Sequence, residues 1–192
     1  MNIKNKIKFF IALISLVYCI SLIQDTYAKY VSSASGNATM SIARWNILVN
    51  DTDIKNNSNF TNTITPVFEG NENIANNVIA PTSTGYFDIV LDGANADVSF
   101  NYTINLDVDE TSDVSDLVIE KYTIGSDSTE YTYDGTISNN IILTDVNKTI
   151  SYRFYVTWND SETASMDNVG DTLAAGGEAK IAVSINFIQL KN

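Results

Sequence analysis

Three long segments of this chain alternate apolar and polar residues, and this alternation limits the possible folds more than any other feature. The segments are residues 96–108, 149–158 and 179–187. Successive side chains of a β-strand point to opposite faces, so a period of two places one face in a core and the other in water. In the first segment the inward residues are Val98, Phe100, Tyr102, Ile104, Leu106 and Val108. The pattern predicts antiparallel sheets with one wet face.

Shorter segments and turn residues indicate the same fold class. Further strands are predicted at residues 40–49, 86–91 and 117–124, with a weak one within residues 60–68. Residues 131–137 resemble a hairpin that turns at Asp134-Gly135. Residues 161–177 are predicted to be a long loop, and no helical periodicity is convincing beyond residue 28. We therefore predict an all-β protein with a single jelly-roll or Greek-key β-sandwich over residues 29–192, a closed barrel being the alternative.

The first 28 residues have the composition of an export signal. Lysines at positions 4, 6 and 8 precede an uncharged apolar run over residues 9–23. This run is shorter than the roughly 20 residues that a membrane-spanning helix needs. Thr26 and Ala28 place small residues at the −3 and −1 positions of a cleavage site. We predict cleavage between Ala28 and Lys29 and a secreted or cell-surface protein, with an uncleaved membrane anchor as the alternative.

The charge of the chain excludes some partners. The net charge is −12, from 11 basic and 23 acidic residues. Removal of residues 1–28 takes away three lysines and one aspartate, so the mature chain carries −14. Such a surface repels nucleic acid and anionic membranes, and it also keeps like subunits apart. We expect no nucleic-acid partner, and membrane contact only through the uncleaved signal.

The residues that most catalytic sites need are missing. The chain has no histidine, and its single cysteine, Cys19, lies within the signal. A Ser-His-Asp triad, a cysteine nucleophile and the usual zinc ligands are therefore excluded. A pair of carboxylates, as in glycosidases, stays open as a hydrolase hypothesis. A solvated acidic surface is the simpler interpretation, so we predict that the protein is not an enzyme and has no cofactor.

The densest acidic cluster is the candidate for a metal site. Asp107, Asp109 and Glu110 lie close together in the sequence, with Asp113 and Asp116 nearby. Oxygen ligands in a flexible loop suit Ca²⁺. The spacing does not fit an EF-hand, however, because Ser112 stands where the turn glycine should be. The alternative is an acidic loop that caps a sheet edge.

The two tryptophans allow two interpretations. Trp45 and Trp158 could stack on sugar rings, as in a carbohydrate-binding module. Trp158, however, continues the inward face of its predicted strand, and Trp45 shares a face with Ile47 and Val49. Core packing is the usual fate of such residues, and we expect it here.

Several segments resemble a known family of secreted proteins. The segments are Thr26-Tyr-Ala-Lys-Tyr-Val31, Gly36-Asn-Ala-Thr-Met40, Trp45-Asn-Ile47, the stretch from Pro81 through residues 86–91 to residues 96–104, and the closing strand within residues 176–190. Together they are similar to the TasA/camelysin family of Gram-positive bacteria. The metalloprotease label that some camelysin-like members carry does not transfer, since the chain has no histidine for zinc.

The resemblance implies a jelly-roll subunit of extracellular biofilm-matrix fibres, processed by a dedicated signal peptidase. It also implies that the freed N-terminal segment is donated as a strand to a neighbouring subunit. The expected donor is residues 29–40, with Lys29, Tyr30, Val31 and Met40 as assembly residues. The expected partners are the peptidase and other copies of the chain. The alternatives are a monomeric adhesin or carbohydrate-binding module, and a carboxylate-based hydrolase.

Overall fold

The structure is a computed structural model that describes residues 3–32, 42–55, 57–161 and 166–191. The chain divides into two units, residues 1–42 and 43–192. The first unit contains helix α1, Ile3–Ser32. The second contains all the strands.

Ten strands and a second helix are found among the described residues of the second unit. They are β1 (Leu48–Val49), β2 (Thr52–Asp53), β3 (Asn59–Ile64), β4 (Thr84–Asp92), β5 (Phe100–Val108), β6 (Leu117–Ile124), β7 (Tyr131–Thr132), β8 (Thr136–Ile141), β9 (Thr149–Trp158), α2 (Asn168–Leu173) and β10 (Ile181–Gln189). One sheet has the order β2-β1-β4-β9-β6-β7, and the other has the order β3-β10-β5-β8. All pairings are antiparallel. The predicted all-β sandwich is confirmed.

The alternating segments form the centres of both sheets, with their apolar faces in the core. In β9, Tyr152, Phe154, Val156 and Trp158 are buried. In β5, burial is complete at Phe100, Tyr102 and Ile104, whereas Leu106 and Val108 at its end are only half-buried. The hydroxyls of Tyr102 and Tyr152 join the two sheets with a hydrogen bond of 2.5 Å. Burial raises the pKa of both tyrosines.

The predicted hairpin at Asp134-Gly135 is wrong. β7 pairs with β6 in the six-stranded sheet, whereas β8 pairs with β5 in the four-stranded sheet. The turn therefore carries the chain from one sheet to the other. Tyr133 stabilises this crossing, because its buried ring packs edge-on against Phe154 and its hydroxyl donates to the Gly135 carbonyl, 2.6 Å away. The Tyr133 hydroxyl oxygen in turn accepts from the Leu106 N–H, at 2.9 Å.

Two other segments differ from the prediction. The strand expected over residues 40–49 is reduced to Leu48–Val49, and Met40 lies outside the described residues. The loop expected over residues 161–177 contains α2, a helix too short to show periodicity. Asp167 caps it, its Oδ1 accepting from the N–H groups of Val169 and Gly170, both at 3.0 Å.

The loop that enters β4 folds back onto that strand. Phe68 is buried, and Val67 forms an isolated bridge with Tyr86. This close approach requires glycine at position 85, because a Cβ there would lie 2.6 Å from the Val67 carbonyl oxygen and 2.7 Å from the Phe68 ring.

Candidate functional site

The predicted export and assembly residues at the N-terminus lie in or after α1. The backbone of Ala28, Lys29, Tyr30 and Val31 is helical and belongs to the last turns of this helix. The stretch Ile3–Leu22 is long and apolar enough to cross a membrane, and it is longer than the run of 15 residues counted in the sequence. A signal sequence has the same properties. A role for Lys29–Ser32 as a donated strand would require this end of the helix to unwind.

The two sheets end differently at their edges. The six-stranded sheet ends in β2 and β7, strands of two residues each. The four-stranded sheet ends in β3 and β8, strands of six residues each. Neither β3 nor β8 contains a charged residue or a proline. Charges, prolines and short strands are the usual protection against pairing between molecules, and these two edges have none of them.

β4, one of the two long strands that adjoin the short strands at the edges of the six-stranded sheet, is protected by a side chain. β1 covers β4 at only two positions, Leu91 and Asp92. Beyond that point Asn50, which adopts φ 46°, lies along β4. Its N–H donates to the Val90 carbonyl (2.9 Å), its Oδ1 accepts from the Val90 N–H (2.7 Å), and its Nδ2 donates to the Asp88 carbonyl (3.1 Å). The asparagine thereby takes the place of a neighbouring strand.

The open side of the sandwich lies at β8. Tyr102 of β5 meets Tyr152 of β9, and the short turn after β7 leads directly into β8. The sheet orders therefore place β8 opposite β6, with β7 beyond β6 at the edge. Tyr131 of β7 stacks on the inward-facing Tyr122 with ring centroids 5.5 Å apart, yet it is 40% exposed. An added strand beside β8 would cover this ring. Ile142, Leu143 and Val146, which follow β8, are also exposed.

The acidic cluster uses its oxygens to shape a loop. Asp109 accepts hydrogen bonds from the Thr111 N–H and hydroxyl at 2.8 and 2.6 Å, and from the Thr63 hydroxyl at 2.8 Å. These hydrogen bonds lower the pKa of Asp109, and the bond from the Thr111 hydroxyl contributes most. Asp107 accepts from the adjacent Val108 N–H. Glu110 is exposed.

The two remaining acids of the cluster bind other segments. Asp113 accepts from the Glu178 N–H at 2.7 Å, and the buried Asp116 accepts from the Met166 N–H at 2.6 Å. Over residues 3–32, 42–55, 57–161 and 166–191, no three acidic, histidine or cysteine side chains are grouped so that they could hold a metal ion. Calcium binding by Asp107, Asp109 and Glu110 stays a prediction.

Neither tryptophan lies on an open surface. Trp158 is 4% exposed, as expected for a core residue. Trp45 is half-buried, packs edge-on against Phe100 with centroids 5.8 Å apart, and donates its Nε1–H to the Asn57 carbonyl at 3.0 Å. A sugar-stacking role for these two residues is therefore not supported, and core packing accounts for both.

No protein-family model matches this chain, and no curated protein sequence matches it significantly. Membership of the TasA/camelysin family thus stays a prediction.

Proposed function

We propose that this protein is an exported structural subunit that assembles into extracellular fibres by strand addition. In this proposal cleavage after Ala28 frees the segment beginning at Lys29, and the segment pairs with the outer edge of β8 in another copy. The role is structural rather than catalytic. The observation that carries the proposal is the uncharged, six-residue edge of β8 on a chain whose net charge is −12.

The core of the described chain lies within the second unit. The buried apolar residues of the described chain all lie between Ile47 and Phe187, within the second unit. Backbone hydrogen bonds to β8 would supply the affinity, and apolar side chains such as Tyr30 and Val31 would set the register against Tyr131.

Charge repulsion opposes this assembly and makes it sensitive to salt. Subunits of net charge near −14 repel one another, but interactions between exposed charges are screened beyond about 8 Å at physiological ionic strength. The proposal therefore includes slow assembly at low salt and faster assembly with added salt or divalent cations.

Two matched substitutions test which edge accepts the strand. Asn140 of β8 and Asn62 of β3 are both exposed, and the Oδ1 of each accepts a hydrogen bond at 2.9 Å, from the Asn101 side chain and from the Thr63 N–H respectively. Lysine at an edge position blocks pairing. In light-scattering measurements on protein beginning at Lys29, Asn140→Lys should abolish or strongly slow fibre growth, whereas Asn62→Lys should not.

The pair also controls for net charge, because each change makes the acidic chain less negative by one charge. An effect of charge alone would accelerate assembly of both variants equally. Blocked assembly in Asn62→Lys only would assign the acceptor to β3. Unchanged assembly in both variants would contradict strand addition to this sheet.

A further inference from the structure

A depression of about 520 Å³ lies on the outer face of the six-stranded sheet, away from the proposed assembly edge. Its floor comes from β4, β6 and β9, and its wall is the loop of residues 125–130. The loop is fixed at its start and braced by bonds within it. The Gly125 N–H donates to the Ser151 carbonyl at 2.8 Å, and Asp127 Oδ1 accepts from the N–H and hydroxyl of Thr129 at 3.0 and 2.9 Å. The volume lies within the ~300–1,000 Å³ typical of small-ligand sites.

Arg153 is held rigidly in the floor of this depression. Its Nε and Nη2 donate to the two carboxylate oxygens of Asp88, both at 2.8 Å. Its guanidinium also stacks over the Tyr86 ring, 4.0 Å from the centroid. A guanidinium has five N–H donors, and the pair with Asp88 uses only two nitrogens. The side chain is still 43% exposed, so its remaining donors are presented in a fixed orientation.

A second ion pair neutralises the wall. Glu130 accepts from Lys121 Nζ at 2.8 Å, and the same ammonium lies 5.3 Å from the centre of the Tyr155 ring. Asp88 and Glu130 are thus each balanced by a cation, which leaves one unbalanced carboxylate, that of Asp127. Neither a strongly anionic nor a strongly cationic ligand finds a complementary field here.

Hydroxyl groups make up most of the remaining lining. They belong to Thr123, Ser126, Ser128, Ser151 and Tyr155. Hydroxyls donate and accept, while paired carboxylates accept and the guanidinium donates. This mixture, with a single unbalanced carboxylate, matches a neutral molecule that carries many hydroxyls. We propose that the depression binds a neutral saccharide, with Arg153, Asp88 and Ser151 as its main hydrogen-bonding residues.

This inference goes beyond the proposed assembly and does not depend on it, because the depression and the β8 edge lie on different sheets. It also differs from the tryptophan-based sugar site considered from the sequence. Here Tyr86 and Tyr155, on the outer face, lie against the cations Arg153 and Lys121 and position them.

The test is a titration followed by amide NMR. The protein would be the mature chain beginning at Lys29, held at low salt so that it stays unassembled. The neutral probes are cellobiose and maltose, and the charged probes are glucuronate and glucosamine. At least one neutral disaccharide should cause saturable shifts at residues 123–130 and 151–155, with weaker or no binding of the charged sugars.

Variants make the result specific. Arg153→Lys keeps the positive charge but loses the planar guanidinium with its several N–H donors. It should weaken binding roughly tenfold or more. Ser151→Ala should weaken binding, whereas the matched Ser184→Ala, on the outer face of the other sheet, should not. The absence of saturable shifts with both disaccharides, equal binding of the charged sugars, or unchanged affinity in Arg153→Lys would overturn the proposal.

Discussion

Asn50 hydrogen-bonds Val90 through both its backbone and its side chain: its N–H donates to the Val90 carbonyl at 2.9 Å, and its Oδ1 accepts from the Val90 N–H at 2.7 Å. A single residue thereby satisfies both polar groups of one position on β4. The edge of β4 beside it would otherwise resemble the open edges of the other sheet.

We predict that Asn50→Ala lowers the free energy of unfolding by about 1–3 kcal/mol, since Val90 N–H and Asp88 C=O lose their partners. Urea denaturation measures this loss. Asn50→Gly is the matched control for backbone strain, because glycine adopts φ 46° freely and also lacks the side-chain bonds. If Asn50→Gly were as stable as the natural chain, the side-chain bonds would contribute nothing.

The second prediction concerns the hydroxyl pair between the sheets. Tyr102→Phe or Tyr152→Phe leaves one buried hydroxyl without this bond, and each should cost about 1–3 kcal/mol of unfolding free energy. The double variant should cost less than the sum, because it removes both hydroxyls together, with a coupling of roughly 0.5–3 kcal/mol. Denaturation of the four proteins completes the cycle. Strictly additive losses would mean that the two hydroxyls do not stabilise one another.

The third prediction concerns pH. Arg44 Nε and Nη2 donate to the carboxylate of Asp97 at 2.9 and 3.0 Å, and the Arg44 backbone N–H donates to it at 2.9 Å. These hydrogen bonds lower the pKa of Asp97 from 3.8 to about 2, and the bond with the Arg44 guanidinium contributes most. Because the folded pKa is depressed, the pair contributes its stabilisation above pH 3.8 and loses it as the pH falls through about 2.

An NMR titration of the Asp97 carboxyl carbon should therefore show a midpoint near pH 2. Arg44→Gln should move this midpoint upward toward 3.8. The distant Arg153→Gln serves as the control and should leave it in place. A midpoint near 3.8 in the natural chain would show that the Arg44 contact does not persist in solution.

The elements that the sequence predicted are those determined by the residue pattern within a single segment. β9 occupies the predicted residues 149–158, and β6 occupies residues 117–124. Their inward faces follow from alternation, since a strand with one buried face must repeat every second residue. The acidic loop was likewise visible as a run of carboxylates, although the bonds that Asp109 and Asp113 make could not be read from it.

The features that were missed depend on contacts between distant segments. Residues 131–137 have the composition of a hairpin, and only the burial of Tyr133 against Phe154 shows that the chain changes sheets there. The protection of β4 by Asn50 joins residues 40 positions apart. The depression at Arg153 is formed by residues of β4, β6 and β9, which are far apart in the sequence, so no local motif predicts it.

The most direct test of the central claim compares two forms of the chain by sedimentation and negative-stain microscopy. One begins at Lys29, and the other begins at Ala43, the first residue of the compact second unit. The Lys29 form should grow fibres, faster as salt rises from low concentration to about 0.15 M. The Ala43 form should stay monomeric, with an unchanged urea midpoint. Equal assembly of both forms, or no assembly of the Lys29 form at any salt concentration, would contradict polymerisation by a donated N-terminal strand.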